Sequence, residues 1–168
     1  LDEPLVNLDF KLREALEVEL REILRESGTI VIYTSSDQRD AYTLADNVLL
    51  LNDGEKVQSG APMDLYRQPH SITAMRIMAD PQINTWRQAG KLHALRPEHL
   101  QLLDPAEQAD HEFQFAVDGV ETDGSHSLLF GHCEDEPWVV NCPGMPEVTV
   151  GETIRIGTQA LNVVTFDG

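Results

Sequence analysis

An α/β segment followed by a small all-β barrel is the fold that this sequence predicts, on three observations. Apolar residues recur at steps of three and four over residues 12–24, the spacing of one helical face. Two dense apolar runs, TIVIYT (29–34) and VLLLN (48–52), follow closely. After about residue 84 helical spacing gives way to short alternating stretches separated by Gly, Pro and acidic turns, which predicts a small β barrel or sandwich.

Each element has a local reason. Asp9 is placed to cap the first helix, whose stripe is Leu12, Leu16, Leu20, Ile23 and Leu24, and Ser27-Gly28 is placed to stop it. Arg13 with Glu17, and Glu17 with Arg21, are spaced as i,i+4 charge pairs. TIVIYT is β-branched and nearly continuous, as expected of a strand buried on both faces. Asp37 begins a short helix in DQRDAYTLAD, and VLLLN leads into the turn Asp53-Gly54, from which EKVQSG returns as a hairpin. Pro62 opens a third helix, where a missing N–H costs little. A fourth covers about 71–79 and ends before Pro81. Beyond it the expected strands lie in GKLHAL, HEFQFAVDGVET, SHSLLFGHC, PWVVNC, EVTVG, TIRIGT and ALNVVTF.

Composition narrows the function. The chain has 168 residues and a net charge of −17, of which −7 lies in residues 1–84 and −10 in 85–168. That balance argues against nucleic acid and anionic lipid as partners, because both require clustered Lys and Arg. No apolar run approaches the ~20 residues that span a bilayer. Cys133 and Cys142 read as ordinary thiols, with a hairpin disulfide as the alternative. The six histidines lack ligand spacing, although His126 and His132 could meet on one hairpin. Ser125 and Ser127 have no nucleophile context. Trp86 and Trp138 read as packing residues.

One ordered set carries chemistry: Asp2-Glu3-Pro4, Asn7-Leu8-Asp9, Asp37-Gln38, Leu44-Ala45-Asp46, Gly54, Gln58, Gly60, Pro62, Leu65-Tyr66 and Pro69. It resembles the second half of an ABC-transporter ATPase of the sugar and glycerol-3-phosphate importer group. DPQINTW (80–86) resembles the linker of those proteins, and ALRPEHL (94–100) resembles the opening of their OB-like TOBE domain. The resemblance implies two domains: residues 1–84 as the end of the nucleotide-binding domain, with part of a P-loop ATPase sheet, and 85–168 as a TOBE barrel. Arg96 and Glu98 would then form a barrel-opening turn with a partly buried ion pair.

Site roles follow from the same resemblance. Asp2 matches the Walker B carboxylate that helps hold Mg²⁺ beside the phosphates of ATP. Glu3 matches the residue that polarises the attacking water. Asp9 lies in the segment matching the D-loop, which reaches the nucleotide across the partner ATPase. Ser36 stands where the family has the switch histidine, and Val6 where it usually has Ser. A serine hydroxyl is shorter than imidazole and cannot become cationic, so slow ATP hydrolysis is expected.

The chain contains no GxxxxGK[ST] loop and no LSGGQ-type signature, and phosphate affinity comes mainly from that loop. It is therefore expected to be part of a longer protein, idle alone, with neither ATP nor Mg²⁺ bound. The implied partners are a second ATPase subunit, membrane permease subunits and, indirectly, a periplasmic or extracellular binding protein. The implied location is peripheral, on the cytoplasmic face of a bacterial inner membrane. Exposed strand edges predict a homo-oligomer for the isolated chain. The alternative function is a non-catalytic regulatory TOBE module that binds a small ligand or oxyanion.

Overall fold

The computed structural model, which describes residues 1–6 and 8–167, separates into two units, Leu1–Met78 and Ala79–Gly168. In the first unit Asp9 accepts a hydrogen bond from the Leu12 amide and starts α1 (Phe10–Glu26). Ser27 and a left-handed Gly28 end it. The Arg13–Glu17 pair forms at 2.7 Å, whereas no Glu17–Arg21 ion pair forms among the described residues. Asp37 caps α2 (Gln38–Leu44). The hairpin β1 (Val48–Asn52) and β2 (Glu55–Gly60) turns on Asp53 and Gly54, both at positive φ, the geometry for which Asp-Gly is favoured. Pro62 opens α3 (Pro62–Arg67) and Ser71 caps α4 (Ile72–Ile77).

The strand expected over 29–34 is not there. Residues Asp2 and Thr34 make one isolated parallel bridge, and Ile30 and Ile32 are 95% and 78% exposed. A strand needs a continuous ladder with at least one neighbour, and among the described residues this run pairs only at its end, with residues 1–3. Among the described residues the first unit therefore shows a hairpin and four helices, and no P-loop ATPase sheet. Its core is small: Leu50, Leu65, Ala74 and Met78, with Val48, Val57 and Ile77 beside them. Buried Gln58 stitches this core together, donating to the Gln68 carbonyl at 2.9 Å and accepting from the His70 amide at 2.8 Å. No helix among the described residues is long and apolar enough to cross a membrane.

The second unit is β throughout. A three-stranded sheet runs β10 (Val164–Phe166), β4 (Lys91–Leu95), β3 (Asn84–Gln88). A five-stranded sheet runs β5 (Gln101–Leu102), β9 (Thr153–Thr158), β6 (His111–Thr122), β7 (His126–Cys133), β8 (Glu136–Pro143). All pairings are antiparallel, and the sheets curl around Leu95, Leu100, Phe115, Val117, Leu129, Trp138, Val140 and Ile156. This is a curled β domain of OB-like character.

One side chain joins the two sheets. Asn84, 1% exposed, donates to the Val139 carbonyl at 2.7 Å and accepts from the Val139 amide at 2.8 Å. Its carboxamide reproduces the donor and acceptor of a peptide group, so β3 pairs with β8 without a backbone ladder. A bulge between Val117 and Gly119 bends β6 over β7. EVTVG (147–151), expected as a strand, is a loop: the Val148 amide bonds to the Pro146 carbonyl, the Glu152 amide that follows closes a turn on Thr149, and the Gly151 amide reaches the Val117 carbonyl of β6.

Candidate functional site

The acidic N-terminal segment meets the end of the exposed apolar run through three backbone bonds. The Leu1 amino group donates to the Ile32 carbonyl at 2.8 Å, and the Thr34 amide donates to Leu1 at 2.9 Å. The Glu3 amide donates to the Thr34 carbonyl at 3.1 Å, and the Val6 amide closes a turn on the Glu3 carbonyl. This fixes the side chains that follow. Thr34 Oγ1 donates to Asp2 Oδ1 at 2.6 Å, and Ser36 Oγ donates to Glu3 Oε2 at 3.3 Å. Glu3 sits at φ 39°, a left-handed conformation that costs a non-glycine residue energy and recurs at functional sites. Asp2, Glu3 and Ser36 thus share one hydrogen-bonded surface, with Thr34 as its link.

Behind that surface a charge network anchors the Ser35–Asp37 turn. Asp40, 4% exposed, accepts from Arg13 at 2.8 Å, from the Tyr33 hydroxyl at 3.1 Å and from Ser35. Arg13 also reaches Asp37 at 2.9 Å, and Arg39 reaches Asp37 at 2.8 Å. Burial, reinforced by the Asp40 charge, pushes the Tyr33 phenol far above its ordinary value. The hydrogen bond from Arg39 holds the Asp37 carboxyl below the usual carboxylate range. The Arg13 guanidinium, bonded to Glu17 and Asp40, is held more firmly protonated than an isolated arginine. A buried carboxylate is tolerable only with such partners. Sequence reading placed Arg13 on an outer face with Glu17. Its longer reach to Asp37 and Asp40 depends on tertiary placement, and only the Ser-Ser-Asp-x-x-Asp spacing hinted at a shared hub.

Other candidates separate from this surface. Asp9 caps α1 through one carboxylate oxygen, and Asn7 lies outside the described residues. His126 and His132 sit at opposite ends of β7, opposite Pro143 and Pro137, so they do not meet. His132 instead pairs with Asp118 at 2.9 Å. Cys133 and Cys142 are both free and buried at opposite ends of the β7–β8 pair. Burial raises both thiols, Cys133 to about 12. Ser125 belongs to a turn organised by Asp123, whose carboxyl is lowered to about 2 by the His126 amide, the Ser125 hydroxyl and the Ser125 amide. Ser127 is buried and donates to the Gly144 carbonyl at 2.6 Å. Arg96 is buried at the start of the Pro97–His99 3₁₀ turn and Glu98 is exposed on it.

The surface around Asp2 offers hard oxygen donors: one carboxylate, a threonine hydroxyl and the Glu3 carboxylate. No group of three or more His, Cys, Asp or Glu able to hold a metal exists among the described residues. The donor set fits an Mg²⁺ that takes one carboxylate and draws its remaining octahedral ligands from water and phosphate oxygens.

Comparison with known proteins gives two findings. Residues 93–166 match the TOBE domain family. The chain is 34% identical over 190 residues to the sn-glycerol-3-phosphate import ATP-binding protein UgpC 3 of Agrobacterium fabrum, covering 99% of this chain and 54% of that protein. It is 30% identical over 184 residues to UgpC of Brucella abortus biovar 1, covering 98% and 52%. It is 32% identical over 200 residues to the alpha-glucoside transport ATP-binding protein AglK of Rhizobium meliloti, covering 99% and 54%. The chain spans about half the length of these curated relatives.

Proposed function

We propose that the chain is part of an importer ATPase subunit with a weakened catalytic site, because residues 93–166 match the TOBE domain and nearly the whole chain aligns with ATP-binding proteins of ABC importers. The observation that carries this reading is the joining of Asp2, Glu3 and Ser36 through Thr34 and the Asp2–Thr34 bridge.

In this reading Asp2 would hold Mg²⁺, which would supply charge neutralisation to the phosphates of ATP. Glu3 orients and polarises water through a carboxylate whose Oε2 is held by Ser36. Ser36 occupies the switch position with a single short hydroxyl, and the Arg13–Asp40 network keeps that turn in place. Asp9 faces the nucleotide shared with a second ATPase subunit. Nucleotide-driven pairing of the two subunits drives permease subunits in the membrane, which a solute-binding protein supplies, and places this chain on the cytoplasmic face. Residues 1–84 are the end of the nucleotide-binding domain in this reading, and residues 85–168 the TOBE domain. The names of relatives, sn-glycerol-3-phosphate import and alpha-glucoside transport ATP-binding proteins, support a sugar or glycerol phosphate as the transported class.

The test is ATP hydrolysis by the longest native polypeptide that carries this sequence, with and without Glu3→Gln. A carboxylate acting on water contributes roughly 10²–10⁴-fold. Loss of at least tenfold in the rate with nucleotide affinity retained supports the reading, and an unchanged rate contradicts it.

A further inference from the structure

Ser36 Oγ donates to Glu3 Oε2 at 3.3 Å, the one hydrogen bond that the Glu3 carboxylate makes among the described residues. Hydroxyl donors prefer about 2.7–2.8 Å and lose the bond by about 3.6 Å, so a shift of a few tenths of an Å decides whether Glu3 is held. The Glu3 backbone is fixed separately, its amide donating to the Thr34 carbonyl and to Thr34 Oγ1, both at 3.1 Å. The Ser36 side of the contact is therefore set by the turn over residues 35–37.

Ser35 spans that turn with a single hydroxyl. Its Oγ accepts from the Asp37 amide at 3.0 Å and donates to Asp40 Oδ2, so the two bonds enclose Ser36. The acceptor is itself held on both oxygens. Asp40 is buried on α2 and receives Arg13 on Oδ1 at 2.8 Å and the Tyr33 hydroxyl on Oδ2 at 3.1 Å, partners without which a buried carboxylate is costly. Arg13 ties Asp37 to the same anchor at 2.9 Å, so the turn is pinned on both sides of Ser36. Ser35 is exposed and fills no core position. What its hydroxyl adds is the tie between a buried anchor and the residue next to Ser36.

We propose that Ser35 is a positioning residue for ATP hydrolysis, its hydroxyl tying the turn to Asp40 and thereby keeping the Ser36 hydroxyl on Glu3. The assignment rests on the importer-ATPase reading of Asp2, Glu3 and Ser36. Ser35 acts through Ser36 and touches no substrate, so its removal lowers the rate of the chemical step and leaves nucleotide affinity in place. Threonine carries the same hydroxyl on the same carbon and serves equally, whereas alanine leaves the Asp37 amide and Asp40 to water.

The experiment measures kcat and KM for ATP with the longest native polypeptide carrying this sequence and with its Ser35→Ala, Ser35→Thr, Ser36→Ala, Ser35→Ala/Ser36→Ala and Glu3→Gln variants. Ser35→Ala and Ser36→Ala should each lower kcat about fivefold, the effect of one neutral hydrogen bond, with KM within about twofold of native. Ser35→Thr should keep the native rate. The double variant should be no slower than Ser36→Ala, since residues that act as one unit are not additive; a merely structural role for Ser35 predicts additive losses instead. An unchanged rate in Ser35→Ala, a slow Ser35→Thr, additive losses in the double variant, or an inert Ser36→Ala would each overturn the proposal. Glu3→Gln separates this failure from failure of the site itself. If it slows hydrolysis while Ser35→Ala does not, the positioning role alone falls; if it changes nothing, the site reading falls and the positioning role with it.

Discussion

Replacing Asn84 with alanine should open the β domain at the seam between its two sheets. The side chain is buried and makes both of its bonds to one residue, Val139, at 2.7 and 2.8 Å. Each neutral hydrogen bond is worth about 1 kcal/mol net, and a stranded buried backbone group costs about 1–3 kcal/mol more. Val139 is half-buried, so water recovers part of that cost and the expected loss is about 2–3 kcal/mol. Urea unfolding followed by tryptophan fluorescence reads this unit selectively, because Trp86 and Trp138 both lie in it. With an m value of about 1–2 kcal/mol/M, the midpoint should fall by roughly 1–3 M. Asn84→Asp tests the same geometry differently. It keeps an acceptor for the Val139 amide but sets a second oxygen against the Val139 carbonyl, so it should cost at least as much. An alanine variant within about 0.5 kcal/mol of the native chain would refute the reasoning, because the sheets would then be held by packing alone.

Three further outcomes follow from particular residues. A Cβ on Gly131 would land on the Ala116 carbonyl oxygen and the Phe115 ring, so Gly131→Ala should destabilise the unit by about 1–3 kcal/mol in the same urea assay; an unchanged midpoint would show that the bulged strand yields freely. Asp37 is held below the carboxylate range by Arg39, so its contribution is complete above the ordinary value of about 3.9 and is lost as pH falls through the depressed native value. Circular dichroism on acid titration should show a flatter acid limb in Asp37→Asn, and an identical limb would contradict the pairing. Cys133 and Cys142 are buried with raised thiol values, so a thiol reagent at pH 8 should react only at the rate of unfolding; rapid native labelling would contradict the core placement.

Local chemistry was readable in the sequence wherever a residue acts on its own neighbourhood. Asp9 and Asp37 cap their helices, Pro62 starts α3, and Asp53-Gly54 turns the hairpin, because caps and turns are settled within a few residues. The β character of the second half was equally legible from its alternation. Tertiary consequences were not. TIVIYT reads as a buried strand because its composition demands burial, but composition does not say what supplies the cover, and Ile30 and Ile32 stand exposed. EVTVG alternates like a strand, yet it forms a turn that touches β6 only through the Gly151 amide on the Val117 carbonyl. Trp86 falls in a segment that resembles a linker, yet β3 carries it into an aromatic wall. Of the proposed catalytic set, Asp2, Glu3 and Ser36 were identifiable by resemblance. Thr34 and Asp40, which link and anchor them, emerge only once the chain is folded.

The most direct measurement is the rate of ATP hydrolysis by the longest native polypeptide carrying this sequence, compared with its Ser36→His variant. Imidazole can reach and donate to a phosphate oxygen where the serine hydroxyl falls short, and one well-placed donor is worth about 10²–10³ in rate. The account predicts slow turnover with Ser36 and a gain of at least about tenfold with histidine. Ordinary turnover with Ser36 and no gain from histidine would contradict it.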